Sequence, residues 1–385
     1  MVKVADLENA ILHPEVDLLP GQTVHITEEQ VKTTLTVRKT IELANEAYRK
    51  LSTQQTISPE RIWLTTLNGT SLYCMPSHII GRRTISVKIA RFTPDNAEQS
   101  LPTVIATIYV YDASTGQELA RIEAETLTTL RTAASSAVAT KLLARPDAKV
   151  LGIFGTGRQA EAHIAAIREV RRIEKVVVYS RTQSSREAFA RKASRAYDIP
   201  AVAADSPEEV VESSDILVLA TNSKLPLFSG ELVRPRTHVN AIGAALPDTR
   251  EMDTALVKRA TVVVDSKPKA LSSYGDILIP LKEGAINETD VTELGKLLVH
   301  PIVIKKREQI TVFKAGGVAV LDAVVADYLL SPWRKWKTLP QTTCNGLRHL
   351  GGQGGDCLDL KLLFLSFKPL LDPFETEEIL PSPLL

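Results

Sequence analysis

The sequence predicts an α/β protein in which a Rossmann-type doubly wound parallel sheet joins an α+β domain. Three observations predict it. The apolar run Val150–Phe154 ends in Gly155-Thr156-Gly157-Arg158-Gln159-Ala160 and passes into a helical pattern. Beyond it, β-branched strand-like runs alternate with helical runs as far as residue 330. Before about residue 126, strand-like runs instead follow one another with turn signals between them.

Length and composition set the bounds. The 385 residues suit two domains. Hydrophobic residues at 44% and charged residues at 24% describe an ordinary globular chain. A net charge of +1 gives no general attraction to nucleic acid or to an anionic membrane, so neither is expected as a partner. Cys74, Cys344 and Cys357 are odd in number and far apart, without disulfide or zinc spacing. A reducing, cytoplasmic setting and no metal are expected. Residues 1–8 lack a signal-peptide apolar core, and no apolar run is long enough for a bilayer span.

Residues up to about 26 mix short apolar pieces with turns. Thr27-Glu28-Glu29-Gln30 has capping-box form and opens a helix. Val37, Ile41, Ala44 and Tyr48 then mark one apolar stripe. Ser58-Pro59 breaks the chain. Strand-like runs 61–67 and 71–75 flank Asn68-Gly69, a strong hairpin signal. Runs 84–92, 103–111 and 118–125 are further strands, giving a largely antiparallel sheet. An Ala-rich helix over 127–144 leads to the Gly-rich strand. Strands over 175–179, 215–220, 237–242, 261–264 and 310–313 follow, with helices over 184–197 and 207–212. Gly316-Gly317 leads into a last helix, 318–330, expected to cross back to the first domain. The expected partition is 1–126 with 318–332, then 127–317 as the dinucleotide-binding domain, then 333–385 as a poorly ordered tail.

Each position of the Gly-rich turn has a physical reason. Gly155 permits the tight turn, Gly157 lets the backbone approach a pyrophosphate, and Ala160 keeps helix and strand close. The helix N-terminus offers free N–H groups and a positive dipole end to the phosphates. The second strand of such a fold ends beside the adenosine ribose, where NAD sites place Asp or Glu. Here it ends Val178-Tyr179-Ser180-Arg181-Thr182, without a carboxylate. Ser180, Arg181 and Thr182 suit a 2′-phosphate, so NADP(H) is expected ahead of NAD(H).

Basic residues sit where a two-domain cleft would form. Arg61 follows a Pro turn, Lys88 interrupts the apolar strand Ile85-Ser-Val-Lys-Ile89, and Arg131 heads the Ala-rich helix. Taken singly, each reads first as a surface charge, and period-2 alternation would point Lys88 outward.

The sequence resembles the ornithine cyclodeaminase/μ-crystallin family. The motifs are Ser58-Pro-Glu-Arg61, Met75-Pro76, Val87-Lys88, Pro94-Asp-Asn96, Tyr111-Asp-Ala-Ser-Thr-Gly116 and Leu127-Thr-Thr-Leu-Arg-Thr-Ala-Ala134. Further on come Gly155-Thr-Gly-Arg-Gln-Ala160, Thr221-Asn222, Asn240-Ala-Ile-Gly243 and Phe313-Lys-Ala-Gly-Gly317. They run in family order over about 58–330. The resemblance implies a homodimer whose N-terminal domain, with the late helix, binds substrate and forms the dimer. It implies that Arg61, Lys88 and Arg131 hold the carboxylate of an amino or imino acid. It also implies cofactor contacts at Gly155, Thr156, Gly157, Arg158, Gln159, Ser180, Arg181, Thr182, Thr221, Asn222, Gly243 and Gly317.

The cyclodeaminases of the family carry a proton-transferring Asp in a Gly-Gly-Asp-Cys-Pro-like segment. Here the segment is Gly243-Ala244-Ala245-Leu246-Pro247-Asp248, closer to the Gly-Ala-Ser-Arg-Pro-Asp of μ-crystallin. Ala245 cannot transfer a proton. Asp248, three residues on, is expected to be solvated. The leading expectation is an NAD(P)H-dependent reductase of small imino acids, cyclic ketimines such as Δ1-pyrroline-2-carboxylate or Δ1-piperideine-2-carboxylate. Proton delivery would come from Lys88 or solvent. The alternatives are a cyclodeaminase, taking ornithine to proline and ammonia, and a cofactor-loaded binder of small ligands.

Overall fold

A computed structural model describes residues 22–67, 69–93, 96, 102–300 and 309–333. The predicted tail beyond Trp333, with Cys344 and Cys357, lies outside the described residues, as do Asn68 of the hairpin turn and Pro94-Asp95.

The capping box at Thr27 forms as the sequence predicts, with the Gln30 side chain returning to the Thr27 N–H. It opens the helix Glu28–Thr34. Thr36 then caps a second helix, Val37–Ser52, its hydroxyl accepting from the Lys39 N–H. These helices lie with a sheet of seven short strands: β1 (Val24–Ile26), β2 (Thr56–Ile57), β3 (Ile62–Thr65), β4 (Ser71–Ile79), β5 (Thr84–Phe92), β6 (Val104–Asp112) and β7 (Glu118–Glu123). Their order is β1-β7-β6-β5-β4-β2, with β3 also on β4. All pairs are antiparallel except β1 with β7. The hairpin registers Thr65 opposite Ser71, as the Asn-Gly signal implies.

β5 inverts the usual alternation. Thr84, Ser86 and Lys88 lie on its buried face, and Ile85, Val87 and Ile89 on the half-buried one. The buried face is covered by the late helix Ala319–Leu330, which also packs on Val37–Ser52 and β4. Polar side chains are tolerated there because that helix brings matching acids. Thr84 donates to Asp327, and Lys88 pairs with Asp322. The expectation that alternation points Lys88 into solvent is therefore wrong.

The second sheet has eight strands: β8 (Val150–Phe154), β9 (Lys175–Tyr179), β10 (Ala201–Ala203), β11 (Ile216–Leu219), β12 (His238–Ala241), β13 (Ala260–Val264), β14 (Val291–Glu293) and β15 (Ile310–Lys314). The order is β10-β9-β8-β11-β12-β15-β13-β14, and every pair is parallel. Helices Arg158–Arg168, Gln183–Tyr197 and Pro207–Ser213 alternate with the first strands, as the pattern requires. The strand order reverses between β8 and β11. That switch point opens a crevice at the strands' carboxyl ends.

The Ala-rich helix Glu125–Leu143 joins the two sheets. Small residues let neighbours approach it closely. Asn240 in β12 donates to Thr140, and Ser136 meets the buried His163. One apolar core runs from Ile108 and Ile122 of the first sheet through Leu127 and Val324 to Val263 and Phe313 of the second.

Candidate functional site

At the switch point the chain forms a cleft of about 460 Å³. It is lined from three strand ends: Phe154, Gly155, Thr156 and Gly157 after β8, Ser180, Arg181 and Thr182 after β9, and Thr221, Asn222 and Ser223 after β11. Gly155 has φ +106, and a Cβ there would lie 2.5 Å from the Ala220 carbonyl oxygen. Only glycine fits. A Cβ on Gly157 would meet nothing within 4 Å, so the turn faces open space. Gly157 caps the helix Arg158–Arg168 without a side-chain hydrogen bond, which leaves the first N–H groups for a ligand. Turn, helix end and open space together fit a dinucleotide pyrophosphate. Arg158 and Gln159 start the helix but are not among the cleft-lining residues. Among the described residues no Asp or Glu lines the cleft.

A second cavity, about 440 Å³, lies at the ends of β12, β13 and β15. Arg61, Trp63 and Met75 enter it from the first sheet, Ala245, Leu246 and Pro247 follow β12, and Asp265 and Lys269 follow β13. Arg61 donates to the Ala245 carbonyl at 3.1 Å and stacks over the Tyr73 ring. Lys88 and Arg131 share Asp322 beneath it. Lys88 Nζ is 2.8 Å from Oδ2, and Arg131 Nε is 3.2 Å from Oδ1. A Cβ on Gly317, which has φ +84 and lines the cavity, would fall 2.3 Å from Arg131 Nη1. Gly317 therefore keeps the guanidinium at the cavity wall. Burial, then the neighbouring Arg131 charge, lowers the Lys88 ammonium to about 8 against the pull of Asp322.

Buried carboxylates fix the backbone around both spaces. Glu251 accepts from the Thr221 N–H and hydroxyl, at 2.8 and 2.7 Å, and from the Gly243 and Ala244 N–H groups. It thereby ties the cleft loop after β11 to the cavity loop after β12. Burial pushes its carboxyl above the usual range, against the pull of Lys314. All four partners donate, however, so the carboxylate is the form the site satisfies. Asp276 accepts from the Glu251 and Met252 N–H groups and pairs with Lys314 at 2.8 Å. Asp265 accepts from the Tyr274 hydroxyl and from the Gly316 and Gly317 N–H groups.

A model of the ornithine cyclodeaminase/mu-crystallin family matches residues 22–336. The chain belongs to that family. It is 38% identical over 309 residues to a Delta(1)-pyrroline-2-carboxylate reductase of Bacillus cereus, covering 79% of this chain and 94% of that one. The solved structure of Thermococcus litoralis Delta(1)-pyrroline-2-carboxylate reductase, in complex with NADH and L-proline, superposes with a TM-score of 0.78. It is 34% identical and covers 80% of this chain and 97% of that one. An archaeal alanine dehydrogenase dimer with bound NAD gives a TM-score of 0.76 at 30% identity, covering 80% and 95%.

As a family member, the chain gathers its predicted residues into two groups. Arg61 and Gly317 line the cavity with Lys88 and Arg131 beside it, while Gly155, Thr156, Gly157, Ser180, Arg181, Thr182, Thr221 and Asn222 line the cleft. Gly243 lines neither; its N–H is held by Glu251. Ala245 faces the cavity, and Asp248 is exposed, as expected. Sequence reasoning missed Asp322, Glu251, Asp265 and Lys269. A signal existed for Asp322: an acid in a helix apolar on all sides must be paired. Lys269, in Ser266-Lys-Pro-Lys269, looks like surface and carries no such signal.

Proposed function

We propose that this chain is an NAD(P)H-dependent reductase of small imino acids, converting a cyclic ketimine such as Δ1-pyrroline-2-carboxylate to the amino acid. The observation that carries the reading is Arg61 in the wall of a cavity at the carboxyl ends of the sheet that also forms the dinucleotide cleft, with Arg131 against Gly317 of that wall and Lys88 sharing Asp322 with Arg131. Bound in the cleft, a reduced nicotinamide supplies the hydride that an imine carbon accepts.

The chain's own residues do the rest. The turn at Gly155 and Gly157, with the helix end behind it, holds the pyrophosphate. Ser180, Arg181 and Thr182 take a 2′-phosphate, which favours NADP(H), and the lack of a cleft-lining carboxylate supports that choice. Arg61, Lys88 and Arg131 fix the substrate carboxylate and so orient the C=N bond. Lys88, lowered to about 8, is largely protonated at neutral pH and is the proton source for the imine nitrogen. The wall position where deaminating members keep an Asp is Ala245, which cannot accept a proton.

The working assembly is a homodimer. β3 exposes Ile62 and Leu64 at 69% and 54%, an apolar edge that a second copy would cover. The dimeric alanine dehydrogenase relative supports the same arrangement.

The test offers the purified protein ornithine with catalytic NAD⁺, and separately a cyclic ketimine with NADPH. Consumption of NADPH with the ketimine alone supports the reading. Proline and ammonia from ornithine would replace it with a cyclodeaminase.

A further inference from the structure

Glu251 is fully buried and lines neither the cleft nor the cavity. It sits where the two adjoin. β11 and β12 are neighbours, and their pairing ends with the Ile242 N–H on the Leu219 carbonyl at 3.0 Å. Past that rung the backbone turns to the Glu251 carboxylate instead. Oε1 accepts from the Thr221 N–H and hydroxyl, and Oε2 accepts from the Gly243 and Ala244 N–H groups at 2.7 and 3.2 Å. Glycine at 243 makes the contact possible. A Cβ there would lie 2.1 Å from the Thr221 carbonyl oxygen and 2.5 Å from Glu251 Oε1.

The chain of contacts runs on to a substrate-side cation. The Ala244 carbonyl accepts from Lys314, which pairs with Asp276 at 2.8 Å. Asp276 accepts in turn from the Glu251 N–H at 2.8 Å, so both polar groups of the Ala244 backbone are held by one buried circuit. The next carbonyl, that of Ala245, accepts from Arg61 at 3.1 Å. One carboxylate thus stands between Thr221 in the wall of the cleft and Arg61 in the wall of the cavity. Hydride transfer joins a ligand held on one side to a ligand held on the other, and a misplacement of about 1 Å costs on the order of 100-fold in rate.

We propose that Glu251 is a positioning residue for hydride transfer: it holds the cleft loop at Thr221 and the cavity loop at Gly243–Ala245 on one carboxylate, and so fixes the nicotinamide and the imino acid relative to each other. The inference rests on the imine-reductase reading above. Each carboxylate oxygen serves one loop, and all four partners donate. An amide in its place satisfies one loop and turns its NH2 against the donors of the other. The phosphate-binding turn stands apart, with the Gly155 N–H held by the Tyr179 carbonyl.

The experiment measures kcat and KM for Δ1-pyrroline-2-carboxylate, and Kd for NADPH by fluorescence titration, in the natural protein, Glu251→Gln and Gly243→Ala. Urea unfolding of each unliganded protein sets a temperature at which all are folded. Glu251→Gln should lose about 100-fold in kcat while KM and the Kd for NADPH change by less than about 5-fold. Gly243→Ala, which drives a methyl between the Thr221 carbonyl and the same carboxylate, should show the same split. A kcat within about 3-fold of the natural value in Glu251→Gln overturns the inference and leaves the reductase reading standing. Parallel losses of kcat and NADPH affinity also overturn it, because they mark a collapsed cleft and not a displaced wall. Should Glu251→Gln fail to fold, Gly243→Ala decides by the same two readings. A natural protein that reduces no cyclic ketimine overturns the reductase reading, and the inference with it.

Discussion

Lys88 Nζ lies 2.8 Å from one Asp322 carboxylate oxygen and 2.9 Å from the other, with the two residues 2% and 1% exposed. The pair joins β5 to the helix Ala319–Leu330 across 234 residues of chain. Charges this deep are tolerable only as a set, and Arg131 completes it.

Breaking the set should be costly. Asp322→Asn leaves two cations without their carboxylate and should lower unfolding free energy by about 3 kcal/mol, as should Lys88→Met. The double variant Lys88→Met/Asp322→Leu should cost less than the sum of the two single changes, because of the two cations only Arg131 is then left without the carboxylate. Urea unfolding measures all three. Strict additivity would mean that the two side chains are not coupled.

The same residues carry the substrate argument. Lys88→Met and Arg131→Leu should each reduce kcat/KM for imino acids by an amount on the order of 2–5 kcal/mol, while cofactor affinity survives. Titration of NADPH fluorescence separates the effects. Full activity in both variants would put the carboxylate site elsewhere.

Much of this was legible in the sequence. The parallel sheet announced itself through Val150–Phe154 and the glycine turn, because a buried strand and a phosphate-binding helix end leave few alternatives. The strands β1, β2, β10 and β14 were not, since two or three residues carry no period. Lys88 was noticed, but alternation alone could not aim it. Alternation gives two faces without saying which is covered, and here the covered face is the polar one. The answer lay in Asp322 and Asp327, far along the chain in an otherwise apolar helix. Lys269 depends on how the loops after β13 and β15 meet, which no local pattern encodes.

Cofactor choice should follow Arg181. NADPH should bind more tightly than NADH, and Arg181→Asp should shrink or reverse the difference, since a carboxylate repels the 2′-phosphate and accepts from a 2′-hydroxyl. Dissociation constants for both nucleotides decide it. Equal affinities in the natural protein would remove the role given to Arg181.

Two buried histidines set the acid limb of stability. Burial lowers His163 to about 4 and His238 to about 3, with a smaller opposing pull in each case from hydrogen-bond partners. His163 Nδ1 faces the Gln159 carbonyl and must donate, so Nε2 accepts from Ser136. As pH falls below 6.5 the unfolded chain takes up these protons and the folded one does not. Stability is therefore full above that value and is lost on the way down to the folded values. The slope should approach about 1.4 kcal/mol per pH unit for each histidine. Unfolding free energy at pH 7 and pH 5 measures it, above most carboxylate titration. A flat response would show that both rings take up protons in the fold as readily as in the unfolded chain.

Dimer formation should depend on β3. Leu64→Glu puts a charge into the exposed apolar edge and should shift the protein to monomers in sedimentation velocity. A natural protein that sediments as a monomer at micromolar concentration would refute the assignment of that edge.

The account turns on hydride delivery to a preformed imine. The direct measurement is NADPH oxidation by the natural protein with Δ1-pyrroline-2-carboxylate, scored together with the amount of proline formed. One proline per NADPH consumed, lost in Lys88→Met, is the predicted result. Tight cofactor binding with no oxidation by this or any other cyclic ketimine would contradict it.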